Sequence, residues 1–186
     1  TWRLGDDDYF MTTTTAQAGP VMQFMEELLQ TRWTDLRVHL SSVTDLWAGM
    51  AIAGPLARNL LAQAVPDLDW SDEALPFMAV RQSIIHIAGT KIECRTARIS
   101  FSGERAFELY LSSDHGAVVW QYLADYVARF GGCLYGMEAL GTLRIEKGHV
   151  TAAELDGRVT LEDAGFAKMA SSKKPYIGSV LRMRPH

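Results

Sequence analysis

Residue types that could do chemistry gather first in the segment Arg98-Ile99-Ser100-Phe101-Ser102-Gly103-Glu104-Arg105-Ala106-Phe107-Glu108-Leu109. Glu104 falls in a tight turn, and Glu108 lies on the strand that leaves it, predicted over 107–111. Side chains alternate along a strand, so Phe107, Leu109 and Leu111 share one face while Glu108 and Tyr110 share the other. Glu108 then has two readings. In one it faces solvent or pairs with Arg98 or Arg105 across the hairpin. In the other it is a pocket carboxylate that takes two adjacent N–H donors in bidentate fashion, such as the edge of an amino-pyrimidine ring. The run Thr12-Thr13-Thr14-Thr15 also has two: a strand whose hydroxyls pair with a neighbour, or a row of small hydrogen-bonding groups lining a cavity. In Leu143-Arg144-Ile145-Glu146-Lys147-Gly148-His149, Arg144 and Glu146 point to different sides of a helix. A structural salt bridge to another element is the expected role of either.

Several familiar signatures are missing from the sequence. The fifteen glycines form no G-x-G-x-x-G, which removes the dinucleotide fingerprint. There is no G-x-x-x-x-G-K-[ST] phosphate loop and no G-x-S-x-G elbow. His39, His86, His115, His149 and His186 are scattered, and Cys94 and Cys133 are far apart, so no metal site is expected. Each thiol is read as buried packing and not as a nucleophile.

The elements that must position these residues follow from pattern. Trp2-Arg3-Leu4 and Tyr9 to Thr14 flank Gly5-Asp6-Asp7-Asp8 and predict a hairpin. Gly19-Pro20 starts a helix whose Val21, Phe24, Met25, Leu28 and Leu29 recur at helical spacing. Val38, Leu40 and Val43 alternate with polar residues and predict a half-buried strand. Trp47 to Ala53 predicts another, followed by Gly54 and by Pro55 at the first position of a helix carrying Leu56, Leu60 and Leu61. The acidic stretch Val65 to Pro76 reads as a surface loop. Ser83 to Ile87 and Lys91 to Phe101 predict strands joined through Gly89. Ser113 is expected to cap a helix with Val119, Tyr122, Leu123, Tyr126 and Val127 on one face, ended by Gly131-Gly132. Gly136 to Lys147 predicts a last helix. Strands, tight hairpins and covering helices argue for an α+β class with antiparallel sheets.

At 186 residues the chain can form one medium domain or two small subdomains. It is 48% hydrophobic and 22% charged, which excludes disorder and fibrous repeats. Eighteen basic against 22 acidic residues give a net charge of −4. That balance argues against a nucleic-acid or membrane-surface partner. No apolar run approaches the roughly 18 residues of a membrane span. Two cysteines make no disulfide framework, which fits a cytoplasmic protein. The opening Thr1-Trp2-Arg3-Leu4 and the ending Arg182-Met183-Arg184-Pro185-His186 read as the edges of a piece cut from something larger.

Read together, the blocks resemble the folate-binding aminomethyltransferase family, the T-protein of the glycine cleavage system. The matching residues are Ile52-Ala53-Gly54-Pro55 with Leu60-Leu61, then Phe101 to Glu108. Gly136 with Leu143-Arg144-Ile145-Glu146-Lys147-Gly148 follows, and then Lys173-Lys174-Pro175-Tyr176-Ile177-Gly178. Within that superfamily, Phe10 to Ala16, Arg98 to Glu104 and Glu138 to His149 are most similar to the C-terminal region of heterotetrameric sarcosine oxidase alpha subunits. The resemblance implies the aminomethyltransferase fold, incomplete here. Residues 1–186 would be the central part of a folate-binding domain, with the catalytic segment upstream and the C-terminal barrel downstream.

Carried over by residue, Glu108 matches the glutamate that holds the pterin ring of tetrahydrofolate. Phe101 stands in place of a pocket tyrosine, keeping an aromatic wall and losing its hydroxyl. Glu104 matches a turn glutamate of structural role, and Thr15 falls where transferases have an asparagine near the folate. Leu140 replaces an arginine of the transferases. The family's catalytic aspartate has no counterpart here, since Asp6, Asp7 and Asp8 belong to the hairpin turn, so no catalytic residue is assigned. The implied activity is oxidative demethylation of sarcosine to glycine, its one-carbon unit passing to tetrahydrofolate to give 5,10-methylenetetrahydrofolate. FAD, FMN and NAD are expected only in other parts or subunits, with beta, gamma and delta subunits as partners, and the piece alone is expected to be inactive. The alternatives are a glycine cleavage aminomethyltransferase and a non-catalytic folate-binding accessory module.

Overall fold

The computed structural model describes residues 1–155, 157–180 and 182. Two compact units emerge: residues 1–100 with 104–134, and residues 101–103 with 135–186. Met183 to His186, including the last of the histidines considered above, lie outside the described residues.

The first unit opens on an antiparallel ribbon of β1 (Trp2–Arg3) and β2 (Tyr9–Phe10). Arg3 pairs with Asp6 in the exposed turn at 2.7 Å. The second arm is shorter than expected. Phe10 pairs with Trp2, where β1 begins, so no residue of β1 stands opposite Thr12. Thr12–Thr14 therefore lie outside any strand, and Thr15 starts a one-turn 3₁₀ helix that runs into α1 (Ala18–Thr31). The strand reading of the threonine run is overturned. Residues 37–43 also form no strand, and Val38 is exposed. Apolar alternation makes a strand only where a neighbour takes the backbone hydrogen bonds, and among the described residues none pairs with this segment.

The central sheet contains β3 (Trp47–Ala53), β4 (Val80–Ile87), β5 (Thr90–Ala97) and β6 (Ala106–Ser112). Its order is β3-β6-β5-β4, antiparallel throughout. Ala88 and Gly89, with φ of 49° and 83°, make the two-residue turn that matches the twist of β4 and β5. One face of the sheet presents Met50, Ile52, Ile85, Ile92, Phe107, Leu109 and Leu111. They pack with Leu60 and Leu61 of α2 (Ala57–Ala64) and Val119 and Leu123 of α3 (Gly116–Arg129). Polar Ser83 and Thr96 enter this core as a mutually bonded pair, Oγ to Oγ1 2.8 Å.

Further expectations are corrected. Residues 65–76 are not a surface loop throughout, because Val65, Trp70 and Leu75 are buried. Trp70 meets Phe107 edge-on at 5.1 Å, and its indole N–H donates to the Val65 carbonyl at 2.9 Å. Its apolar side chains thus plug the core while the acidic ones face out. Pro55 and Ser113 do not sit at the helix positions expected of them. Gly54 and Pro55 form a turn ahead of α2, and Ser113 begins a separate 3₁₀ turn with no side-chain cap. The strand expected over 91–101 ends at Ala97. Arg98 then turns to the Leu75 carbonyl at 3.0 Å and to Asp72, which Arg58 also grips. Cys94 is buried as expected, whereas Cys133, just past the end of α3, is exposed, which corrects its reading as buried packing.

The second unit holds α4 (Met137–Lys147), which stops at Gly148 in the left-handed conformation, φ 78°, the usual glycine helix terminus. Arg144 makes the expected salt bridge, to Glu154 at 2.7 Å. Glu154 also accepts from the Thr151 amide at 2.8 Å and the Thr151 hydroxyl at 3.1 Å. Beyond it the described residues form turns, with one 3₁₀ turn at Ala167–Met169. Among the described residues no helix is long and apolar enough to cross a membrane, and no cluster could hold a metal ion.

Two outcomes test this packing. Trp70→Ala removes the ring that closes the core over Phe107 and is expected to cost about 3–5 kcal/mol, read as a lowered urea midpoint. The hydrogen bond from Arg58, then its charge and that of Arg98, hold the Asp72 carboxyl at about 2, against an ordinary 3.8. A depressed carboxyl contributes stability that is full above its unfolded pKa and lost as pH falls through its folded one. Wild type should therefore lose stability between about pH 4 and pH 2 more steeply than Asp72→Asn, measured by denaturation at each pH.

Candidate functional site

The site grows from β6. With Phe107, Leu109 and Leu111 fully buried on the core face, Glu108 and Tyr110 stand on the opposite face. Glu108 is flanked by Ala51 of β3 and Ala97 of β5, and Tyr110 by Gly49 and Arg95. Small neighbours leave the Glu108 carboxylate half-exposed. Its partner is neither Arg98 nor Arg105: the Tyr110 hydroxyl donates to Glu108 Oε2 at 2.5 Å.

Tyr110 is itself held on several sides. Its ring lies over Gly49, where an added Cβ would sit 3.1 Å from the ring. Trp2 meets it edge-on at 4.9 Å and Phe10 at 5.9 Å. Beside them the Arg95 guanidinium stacks on Trp47 at 4.2 Å and Phe10 at 4.8 Å, a cation–π arrangement. Burial pushes the Tyr110 phenol well above its ordinary value. The hydrogen bond to Glu108 and its charge push it further, and a hydrogen bond with the Thr12 hydroxyl opposes them.

Tyr110 also lines a cleft of about 310 Å³. Thr12, Thr13 and Thr15 contribute hydroxyls to it, as do Ser41, Ser42 and Thr44, while Val21, Met22, Met25, Phe10 and Trp47 supply apolar wall. The lining carries no charged side chain. Thr15 is thus in the cleft, and Glu108 stands one hydrogen bond behind it. Glu104 is exposed in the turn before β6. Phe101 belongs to the second unit, where its ring meets His149 at 4.6 Å. Burial, then the charges of Lys147 and Arg144, lower the His149 pKa. Residue types alone missed the roles of Tyr110, Gly49 and Arg95. The alternation that put Tyr110 beside Glu108 was the available signal.

A helix-covered antiparallel sheet with a carboxylate–phenol pair beside a hydroxyl-lined cleft defines an α+β domain with a candidate small-molecule site. Residues 1–174 match the GCVT N-terminal domain, and the chain belongs to that family. It is similar to the sarcosine oxidase alpha subunit of Rhizobium meliloti, 44% identical over 99% of this chain and 18% of the relative. It is also similar to that of Corynebacterium sp. strain U-96, 39% identical over 96% of this chain and 18% of the relative. An aminomethyltransferase of Thermoanaerobacter sp. is 32% identical over 69% of this chain and 34% of the relative. The chain therefore spans about a fifth of the length of the oxidase subunits it matches.

The Glu108–Tyr110 bond makes a direct prediction. In protein labelled on its tyrosine rings, Tyr110 should ionise above the usual 10, and Glu108→Gln should bring its midpoint down. An unchanged midpoint in the variant would mean that the two groups are not bonded in solution.

Proposed function

We propose that this chain is the tetrahydrofolate-binding portion of a sarcosine-oxidase-type alpha subunit, an enzyme that demethylates sarcosine to glycine and passes the one-carbon unit to tetrahydrofolate. The observation that carries the reading is the half-exposed Glu108 carboxylate, oriented by Tyr110 beside the hydroxyl-lined cleft. The similarity to oxidase alpha subunits over nearly the whole chain supports it.

The residues fit such a ligand. A carboxylate offers about four acceptor positions, and Tyr110 occupies one, so Glu108 retains acceptors for an amino-pyrimidine edge. Thr12, Thr13 and Thr15 provide neutral donors and acceptors, and Trp47, Met22 and Met25 provide a wall for an aromatic ring. A cleft of about 310 Å³ falls at the small end of the roughly 300–1,000 Å³ range of small-molecule sites. When bound, tetrahydrofolate supplies the nucleophilic amines that take up the one-carbon unit as 5,10-methylenetetrahydrofolate. This chain's part is to bind and orient it. Glu108 holds the ring edge, Thr15 lies along the cleft and Glu104 serves as a structural turn residue.

On this reading residues 1–186 are the central part of a larger folate-binding domain. The groups that oxidise sarcosine, with FAD, FMN and NAD, belong to other parts or to beta, gamma and delta subunits, in a cytoplasmic enzyme. Leu140, where aminomethyltransferases are expected to carry an arginine, favours this reading over a glycine cleavage transferase.

Titration of the full-length protein with folinic acid tests it. Glu108→Gln keeps the shape and removes the charge, and should weaken binding at least about tenfold, the scale of a hydrogen bond to a charged group. Wild-type affinity in Glu108→Gln would sink the assignment.

A further inference from the structure

The surroundings of Tyr110 bear on how Glu108 can hold one geometry. Glu108 is half-buried on the face of β6 opposite the core, flanked by Ala51 and Ala97, and a glutamate side chain there has several torsions to fix. A carboxylate that must meet a planar two-donor edge loses orientation by such rotation. Tyr110 supplies the opposite property. Its ring is boxed by Trp2, Phe10 and Gly49, and a phenol has only two side-chain torsions to order. Its hydroxyl donates to one oxygen of Glu108, Oε2. The glycine opposite is what admits the ring, since a side chain there would press on it.

We propose that Tyr110 is the positioning residue of the Glu108 site: its boxed phenol pins Oε2, so that the carboxylate plane presents a fixed pair of acceptors to the ligand. The proposal rests on the folate reading of Glu108 and adds to it a residue that need not touch the ligand's ring edge. Gly49 becomes part of the same device, because it sets where the phenol lies. The ribbon of β1 and β2 does as well, because Trp2 and Phe10 close the box. Thr12 lines the cleft beside the phenol.

A double-mutant cycle in the full-length protein, read by folinic acid titration, decides it. Tyr110→Phe keeps the ring and removes the donor, and should weaken binding about five- to tenfold. In a Glu108→Gln background the same change should cost less than about twofold, because there is no carboxylate left to orient. Gly49→Ala removes no hydroxyl but presses on the Tyr110 ring, so it should weaken binding in the same direction as Tyr110→Phe while the urea midpoint stays near wild type. Equal losses from Tyr110→Phe in both backgrounds would show a merely structural role and overturn the proposal, as would wild-type affinity in Tyr110→Phe. If Glu108→Gln itself binds as wild type, the folate reading falls and the positioning role falls with it. A weakened Glu108→Gln beside an unaffected Tyr110→Phe would overturn the positioning role alone.

Discussion

Phe107, Leu109 and Leu111 are fully buried between the sheet and helices α2 and α3. Burying a side chain of that size is worth about 1.5–3 kcal/mol, whereas a single hydrogen bond contributes about 1 kcal/mol net. The three apolar anchors therefore decide the register of β6, and the polar face follows. A slip of one residue would turn Glu108 and Tyr110 into the core and expose all three anchors. Pairing with β3 on one side and β5 on the other holds the strand against such a slip. The site is placed by packing that none of its own groups takes part in.

The opposite face is built differently. It carries Trp2, Phe10, Trp47, Tyr110 and the Arg95 guanidinium in mutual ring contact. A ribbon of two-residue strands is marginal alone, and Trp2 and Phe10 fasten it by these ring contacts. Both rings box the phenol, and Phe10 also walls the cleft. Stability of the ribbon and order at the site are thus one quantity, carried by the same side chains.

Several features are legible in the residues alone. Strands β3 and β6, the helix containing Gly19-Pro20, the helix ending at Gly148 and the antiparallel α+β class follow from periodicity and from the positions of glycine and proline. The two faces of β6 follow from alternation, and with them the company Glu108 keeps. The errors share a cause. Val38, Leu40 and Val43 have a strand's alternation without a strand beside them, and residues 65–76 carry loop composition yet send Val65, Trp70 and Leu75 into the core. Local pattern records what a segment can do alone. It does not record which neighbour arrives.

The same limit separates the two levels for the site. Sequence by itself determined that Glu108 would lie on the face away from the apolar anchors, because a period of two is a property of the backbone and needs no partner. It also carried, by resemblance, the family to which the chain belongs. Only the tertiary structure decided that Glu108 is bonded to Tyr110 and not to Arg98 or Arg105. Asp72, 26 residues from Arg98, claims that arginine, and Gly49, on another strand, makes room for the phenol. Those choices depend on groups brought together from separate segments, and alternation within one strand says nothing about what stands across from it.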